Sequence, residues 1–305
     1  MAEQDGFAGS RVVVTGGGGG IGGEICRRFA AAGAEVTVAD WDAEAAGQVA
    51  RDIAAQGGSA TAWPVDVTDQ DAVGQMFAKL GESGPALEVL VNCAARASDT
   101  PFDRLPAVEF DQDVTATLTS AFLCIQAALP LLLRSARDPN VVSVTSVNGL
   151  AAFGNEAYSA AKAGLINLTQ NLALRYGPRG VRFNTVAPGT VPTPIWAQRL
   201  ADTPGLLERI EARYPLRRVG TPADIAAACL FLASPGAVSG ILECHAGQPA
   251  LAAERTQNEV DALGEAGADD HLPGDGVRGP DPAQVPGQHL AQHGAAVRVA
   301  VAQVG

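Results

Sequence analysis

The chain has 305 residues, of which 47% are hydrophobic and 18% charged, as is typical of a globular protein with a sizeable core. Its formal charge of −12 excludes binding to nucleic acid through a basic surface. The acidic N-terminus lacks the order of a secretion signal, and the best apolar run, Ala121 to Leu133, is interrupted by Gln126 and Pro130. We therefore expect a cytoplasmic protein that acts on a small molecule, without a nucleic-acid or membrane partner.

Short β-branched runs alternate with helical patterns along the chain. They predict strands at Arg11–Thr15, Glu35–Ala39, Ala60–Val65, Leu87–Asn92, Asn140–Ser146 and Val181–Ala187. Several runs are nearly all apolar, which indicates a parallel sheet covered by helices on both faces. The predicted fold class is therefore α/β, with a single doubly wound parallel sheet.

The two longest helices are predicted at Pro106–Arg134 and Asn155–Tyr176. Both are rich in Ala, Leu and Thr and carry few charges, so their apolar faces need cover. These faces pack against either the sheet or a second subunit, and the sequence pattern does not distinguish between these two possibilities. We expect a homo-oligomer, either a dimer or a tetramer.

The composition changes beyond about Gly240, where Gly, Ala, Pro, Gln, Asp and His dominate. This change predicts an atypical, weakly structured C-terminal tail, in which only Ala295–Val301 alternates as a strand does. We divide the chain into one domain at residues 1–242 and a tail at residues 243–305. All four histidines lie in that tail and the five cysteines are scattered, so we expect neither a metal site nor disulfides.

A run of glycines follows the first predicted strand, between Thr15 and Gly22. Glycines between a strand and a helix let the backbone approach a pyrophosphate, whose charge meets the free N–H groups of the helix. A flexible turn is the alternative, but the position after the first strand favours dinucleotide binding. The candidate contacts are Gly16, Gly19, Gly20, Ile21 and Gly22.

Asp40 ends the second predicted strand, near the offset at which a carboxylate accepts hydrogen bonds from the adenosine ribose. The alternative is an ordinary turn aspartate. A carboxylate here repels a 2′-phosphate, so we expect NAD as cofactor rather than NADP.

Tyr158 and Lys162 lie four residues apart, on one face of a predicted helix. A nearby ammonium favours phenolate, so we expect Lys162 to lower the tyrosine pKa from about 10 toward neutrality, as proton transfer needs. The alternative is a solvated helix face. Three features favour a catalytic role for the pair over a solvated face. The chain has only two lysines, the helix is apolar, and hydroxyl side chains end the preceding strand at Thr145 and Ser146.

With both motifs present, the sequence resembles the classical short-chain dehydrogenase/reductase family from Ser10 to Gly240. The family's TGxxxGxG turn matches Thr15 to Gly22, and its YxxxK pair matches Tyr158 and Lys162. The resemblance implies a Rossmann domain that binds a nicotinamide dinucleotide. Further matches imply cofactor contacts at Asp66, Val67, Asn92, Ala94, Pro188, Gly189, Val191 and Thr193.

The family mechanism implies that Tyr158 is the general acid/base for the substrate oxygen and that Lys162 holds the nicotinamide ribose. Ser146 would bind the substrate oxygen, but it is one residue nearer to Tyr158 than usual, so Thr145 is the alternative. We expect an oxidoreductase that transfers hydride between NAD and a small, apolar or cyclic secondary alcohol or ketone. Phe153, Trp196 and the segment Pro192–Leu207 are expected to line the pocket.

The sequence departs from the family at three places. The NNAG segment appears as Asn92-Cys93-Ala94-Ala95, and the asparagine of the family's proton relay aligns with Thr117, whose hydroxyl can hold a water but would weaken the relay. The family's last strand is not recognisable after Gly240, so a reading-frame change there and a genuine accessory extension are both open. The alternative function is a nucleotide-binding homologue with weak or no catalysis.

Overall fold

The computed structural model describes residues 6–84, 86–193, 197–235, 237, 240–244 and 298–301. The strands of these residues form one parallel sheet in the order β3-β2-β1-β4-β5-β6-β7-β8. The predicted doubly wound α/β fold is therefore confirmed, and β1 to β6 are the six predicted strands. Their bounds are β1 Arg11–Thr15, β2 Glu35–Asp40, β3 Ser59–Pro64, β4 Val89–Asn92, β5 Asn140–Val144, β6 Arg182–Pro188, β7 Gly240–Cys244 and β8 Arg298–Val301.

Helices cover both faces of the sheet. They are α1 Gly20–Ala31, α2 Ala43–Ala55, α3 Gln70–Ser83, α4 Ala107–Val114, α5 Ser120–Leu132, α6 Glu156–Tyr176, α7 Ala197–Asp202, α8 Leu206–Glu211 and α9 Pro222–Ala233. Both long predicted helices are confirmed. The first consists of α4 and α5, joined by a single wider turn at Thr115–Thr119, which we call the π-turn.

Alternate side chains of the strands enter two separate hydrophobic cores. Val12 and Val14 of β1 pack with Ile25 and Phe29 of α1, whereas Val13 packs on the opposite face with the α3 and α5 side chains. This alternation follows from the two-residue period of a strand. The strands β2 and β3 lie on one side of β1 within the sheet, and β4 lies on its other side.

The combined helix Ala107–Leu132 is long and apolar enough, by length and composition, to cross a membrane. In the structure it packs as a core helix: Leu123, Ile125 and Leu131 are buried in the cluster shared with the sheet. Burial in this core explains the apolar character of these side chains.

A seventh strand, which the sequence placed in doubt, is present as β7. It continues the sheet beside β6, with Ile241 opposite Thr185, and β8 pairs with β7 in turn. Backbone groups make these ladders, so the atypical side chains after Gly240 do not prevent them. The predicted strand in Ala295–Val301 is confirmed at Arg298–Val301.

The division at residue 242 falls inside β7 and stays a prediction. Of the tail predicted at residues 243–305, residues 243–244 lie in β7 and residues 298–301 form β8. The rest of the tail, with all four histidines, lies outside the described residues, and the reading-frame change and the accessory extension both stay hypotheses.

Candidate active site and nucleotide-binding crevice

The candidate site lies at the carboxyl ends of β1, β4, β5 and β6. In a doubly wound sheet, ligands bind where the strand order reverses, because the loops on the two sides diverge there and leave a crevice. Here the reversal lies between β1 and β4. The glycine turn follows β1, and Ser146 and the residues from Pro188 onward follow β5 and β6.

The glycine turn after β1 is shaped for close backbone approach. Gly16 has φ of +65°, and a Cβ there would lie 2.9 Å from the Ala94 backbone. A Cβ on Gly22 would lie 2.0 Å from the Gly16 carbonyl oxygen, so no larger residue fits this turn. Gly20 also has a positive φ, of +30°, and Ile21 packs against the core.

The N-terminus of α1 is open for an anion. Gly19 is its N-cap in extended conformation, with no side-chain cap and no acidic residue in the first turn. A Cβ on Gly19 would meet nothing within 4 Å. Free N–H groups and the helix dipole attract negative charge, so the turn fits a dinucleotide pyrophosphate.

The Asp40 carboxylate lies beside the glycine turn and is held by backbone donors. Its Oδ2 accepts from Gly18 N at 2.9 Å and its Oδ1 from Asp42 N at 3.0 Å. The side chain is only 9% exposed, so its orientation is fixed. Each oxygen keeps a second lone pair for a ribose hydroxyl.

The chain that leaves β4 lies against the glycine turn. Thr15 Oγ1 accepts hydrogen bonds from Cys93 N at 3.1 Å and Ala94 N at 3.3 Å. Asn92 is buried, and its side-chain amide makes no hydrogen bond within the part of the chain that the structure describes. Asn92 and Ala94 therefore lie beside the end of β1, and their contact with a cofactor stays a prediction.

The other predicted cofactor contacts are more peripheral. Asp66 is exposed, and its Oδ1 accepts from the Thr68 backbone at 2.9 Å, which closes the turn after β3; Val67 packs on the core. After β6, Pro188 and Val191 are buried, while Gly189 and Thr193 are partly exposed. This segment is anchored by Tyr214, whose hydroxyl donates to Thr190 Oγ1 at 2.9 Å.

Tyr158 and Lys162 lie together on α6, as predicted. The Lys162 Nζ is 5.4 Å from the centre of the Tyr158 ring. Lys162 is only 2% exposed, and its Nζ donates to the Val144 carbonyl at the end of β5 at 2.6 Å. A solvated helix face is therefore excluded for this pair.

The ionisation of the pair differs from the prediction. Burial lowers the pKa of Lys162 to about 8, because the low-dielectric interior disfavours its charge. Burial also raises the pKa of Tyr158, opposed by a hydrogen bond from Ser146. The prediction that Lys162 lowers the tyrosine pKa is wrong for this arrangement, since loss of solvation dominates both groups.

The structure separates the two candidate hydroxyls. Thr145 Oγ1 donates to the Val186 carbonyl on β6 at 2.9 Å and is buried in the sheet. Ser146 instead faces Tyr158, whose pKa it lowers, and its Oγ donates to Asn148 Oδ1 and accepts from Asn148 N, both at 3.2 Å. Successive residues point to opposite sides of an extended chain, so only Ser146 faces the tyrosine.

The Thr117 hydroxyl forms hydrogen bonds within the protein. Its Oγ1 donates to the Arg96 carbonyl at 3.1 Å and accepts from the Arg96 N–H at 3.2 Å, and the residue is fully buried. Its one proton is therefore used within the protein, and one acceptor lone pair is left for a water, so the weakened relay stays a prediction.

Sequence reasoning missed three polar residues around the pair: Asn148, Asn155 and Asp113. Asn148 donates from Nδ2 to Ser159 Oγ at 3.2 Å and so links Ser146 to α6. Asp113 shares α4 with Glu109 and Asp111, so residue type alone does not distinguish the buried carboxylate from its neighbours. Of the predicted pocket residues, Phe153 is exposed beside the site, and Trp196 lies outside the described residues.

Comparison with known proteins agrees with this geometry. Residues 16–241 match the family described as Enoyl-(Acyl carrier protein) reductase. Uncharacterized oxidoreductase C922.06 of Schizosaccharomyces pombe is 38% identical over 222 residues, which cover 73% of this chain and 83% of that protein.

Two solved structures share the fold. The Pseudomonas aeruginosa RhlG/NADP active-site complex is 32% identical, with a TM-score of 0.75, over 81% of this chain and 99% of that one. A 7α-hydroxysteroid dehydrogenase complexed with NADH and 7-oxo glycochenodeoxycholic acid is 32% identical, with a TM-score of 0.74, over 81% and 97%. With a family match over most of its length and a crevice of this form, the chain belongs to the classical short-chain dehydrogenase/reductase family of oxidoreductases.

Proposed function

We propose that this oxidoreductase transfers hydride between NAD and a small secondary alcohol or ketone of apolar or cyclic shape. The observation that carries the proposal is the Tyr158 ring, whose centre lies 5.4 Å from the Nζ of the buried Lys162, with Ser146 on the same side. An exposed Phe153 and an apolar Leu150 next to the site support an apolar substrate. A substrate screen that follows NADH absorbance, with an NADP control, tests the proposal.

Three side chains have separate roles in the proposed reaction. Ser146 orients the substrate oxygen by a hydrogen bond, and Tyr158 gives a proton to that oxygen or removes one from it. The bound nicotinamide supplies the carbon that takes or gives the hydride. Lys162, anchored on the Val144 carbonyl, has donors left for a ribose hydroxyl.

Ser146→Ala is expected to lower kcat by ~10- to 100-fold, because it removes one hydrogen bond to an oxygen that carries charge in the transition state. The dissociation constant for NADH, measured by fluorescence titration, should stay within a factor of about two. Thr145→Val is the control and should affect thermal stability but not kcat, since Thr145 bonds to the Val186 carbonyl. A larger loss of kcat in Thr145→Val would transfer the role to Thr145.

We propose NAD as the preferred cofactor, because the fixed Asp40 carboxylate would repel a 2′-phosphate. The two related structures were obtained with NADP and with NADH, so relatives use both forms.

Asp40→Asn is expected to tighten NADPH binding by ~10-fold and to weaken NADH binding severalfold, as one unit charge near the phosphate is removed. Fluorescence titration with both reduced dinucleotides measures this without turnover. Asp42→Asn is a matched control: it removes a charge two residues away, yet an asparagine can still cap Glu44 N and Ala45 N at the start of α2. If the unaltered protein bound NADPH as tightly as NADH, the assignment of Asp40 would be lost.

A second candidate function is nucleotide binding with little catalysis. The observation that favours it is Thr117, whose hydroxyl donates its one proton to the Arg96 carbonyl and so has none to donate to a relay water. Dinucleotide binding without turnover across alcohols and ketones would support this candidate.

We also propose a cytoplasmic homo-oligomer, either a dimer or a tetramer. Large apolar side chains are exposed on three helices, namely Val108 on α4, Phe122 on α5 and Leu174 on α6. A second subunit would remove them from water.

A further inference from the structure

A second set of buried polar contacts lies beside the site, where the chain that leaves β4 crosses α4 and the π-turn. We call this segment, residues 96–100, the strap. The Thr117 hydroxyl binds both backbone groups of Arg96, and the Thr100 hydroxyl donates to Glu109 Oε1 at 2.9 Å. The strap is therefore fastened to one helix at both of its ends.

Asp113 fastens the middle of the strap. Its Oδ2 accepts from Ser98 N at 2.9 Å and from Ser98 Oγ at 2.6 Å, and its Oδ1 lies 3.2 Å from Arg96 Nη1. Asp113 is only 1% exposed. A buried carboxylate is costly unless it is paired, and here both hydrogen-bond donors and the ion-pair partner belong to the strap.

The other side of the strap holds the start of the helix that carries Tyr158. The Ser98 carbonyl accepts from Asn155 Nδ2 at 3.0 Å. Asn155 has left-handed backbone geometry, with φ of 52°, and immediately precedes α6. Its carbonyl accepts from Ser159 N at 2.8 Å, in the turn that contains Tyr158. The direction of this turn therefore depends on where Asn155 is held.

We propose that Asp113 is a positioning residue for Tyr158, acting through Ser98 and Asn155. Asp113 fixes the Ser98 backbone, the Ser98 carbonyl fixes the Asn155 amide, and Asn155 sets the first turn of α6. The effect on turnover rests on the proposed function, whereas the effect on the helix start does not. Ala94, just before the strap, is bonded to Thr15, so the same segment joins the glycine turn to the catalytic helix.

Asn155→Asp is the sharpest test. The change is isosteric, tolerates the left-handed conformation and places a favourable negative charge at a helix start, yet it removes the donor to Ser98. Asn171→Asp is the matched control, because Asn171 is exposed on the same helix and bonds only to Asn167 within it. Asp113→Asn tests the anchor itself.

Hydrogen exchange of peptides covering residues 155–162 is measured on the whole protein, followed by kinetics. We expect exchange at the first turn of α6 to rise ~10-fold in Asn155→Asp and Asp113→Asn and not in the control. We expect kcat to fall ~10-fold with NADH binding unchanged, and the double variant to lose less than the product of the single losses.

Unchanged exchange in Asn155→Asp overturns the proposal, even if Asp113→Asn fails to fold. Faster exchange with kcat equal to that of an active unaltered protein also overturns it. Faster exchange in a protein that turns over no alcohol or ketone supports the link from the strap to α6 and rejects the proposed function instead.

Discussion

Replacing Tyr158 by phenylalanine is expected to lower kcat by ~10²-fold or more in either direction of the reaction. The change removes only the hydroxyl, and the ring can keep its place 5.4 Å from the Lys162 Nζ. The dissociation constant for NADH should therefore stay within a factor of about two. Steady-state kinetics and fluorescence titration measure the two quantities separately.

The pH dependence of the unaltered protein adds a second readout. Because burial raises the pKa of Tyr158, the phenol is protonated at neutral pH and is ready to donate to a ketone. Alcohol oxidation needs the phenolate, so its rate should rise with pH while ketone reduction falls. Both slopes should disappear in Tyr158→Phe. Tyr176→Phe is the control, since Tyr176 packs on Phe183 away from the site; equal rates in the two variants would remove Tyr158 from the mechanism.

Lys162→Met should lower kcat by ~10²-fold or more. The same change should stabilise the folded state at neutral pH. The interior lowers the pKa of Lys162 from 10.5 to about 8, so burying the protonated lysine costs folding free energy. Methionine avoids this cost but loses the bond to the Val144 carbonyl. The net gain in the free energy of unfolding at pH 7 should be about 1–2 kcal/mol.

The sign of this effect depends on pH. Below pH 8 the lysine is charged in both states and the destabilisation is complete; between 8 and 10.5 only the unfolded state binds the proton, so the stability of the unaltered protein rises with pH. The advantage of Lys162→Met should therefore shrink across this window in urea unfolding experiments. Lys79→Met, which alters the only other lysine in an exposed pair with Glu82, should show no such trend. A less stable Lys162→Met at pH 7 would contradict the inference.

The local sequence pattern was sufficient to predict most of the sheet, because the periods of strands and helices are set by neighbouring residues. The six strands from Arg11 to Ala187 were predicted with shifts of one or two residues at most of their ends. The strand Gly240–Cys244 was missed because its evidence is not local: the open edge of β6 supplies its partners.

In the candidate site, too, the features set by neighbouring residues were predictable and those set by distant residues were not. The glycine turn, Asp40 and the Tyr158 and Lys162 pair could be found from spacing along the chain, since each is a short motif. Separating Ser146 from Thr145 required the position of Val186, 41 residues beyond Thr145 in sequence. The commitment of the Thr117 hydroxyl to Arg96 was equally invisible, because it depends on how the strap crosses the π-turn.

The sequence by itself determined the fold class and located the glycine turn and the Tyr158 and Lys162 pair, since each follows from residue type at fixed spacing. Only the tertiary structure decided the electrostatics: that Tyr158 has a raised pKa and Lys162 a lowered one. It also revealed Asp113 as the buried anchor of the strap. Burial and hydrogen-bond partners are contributed by residues far apart in the chain, and they outweigh the short-range effect of one charge on its neighbour.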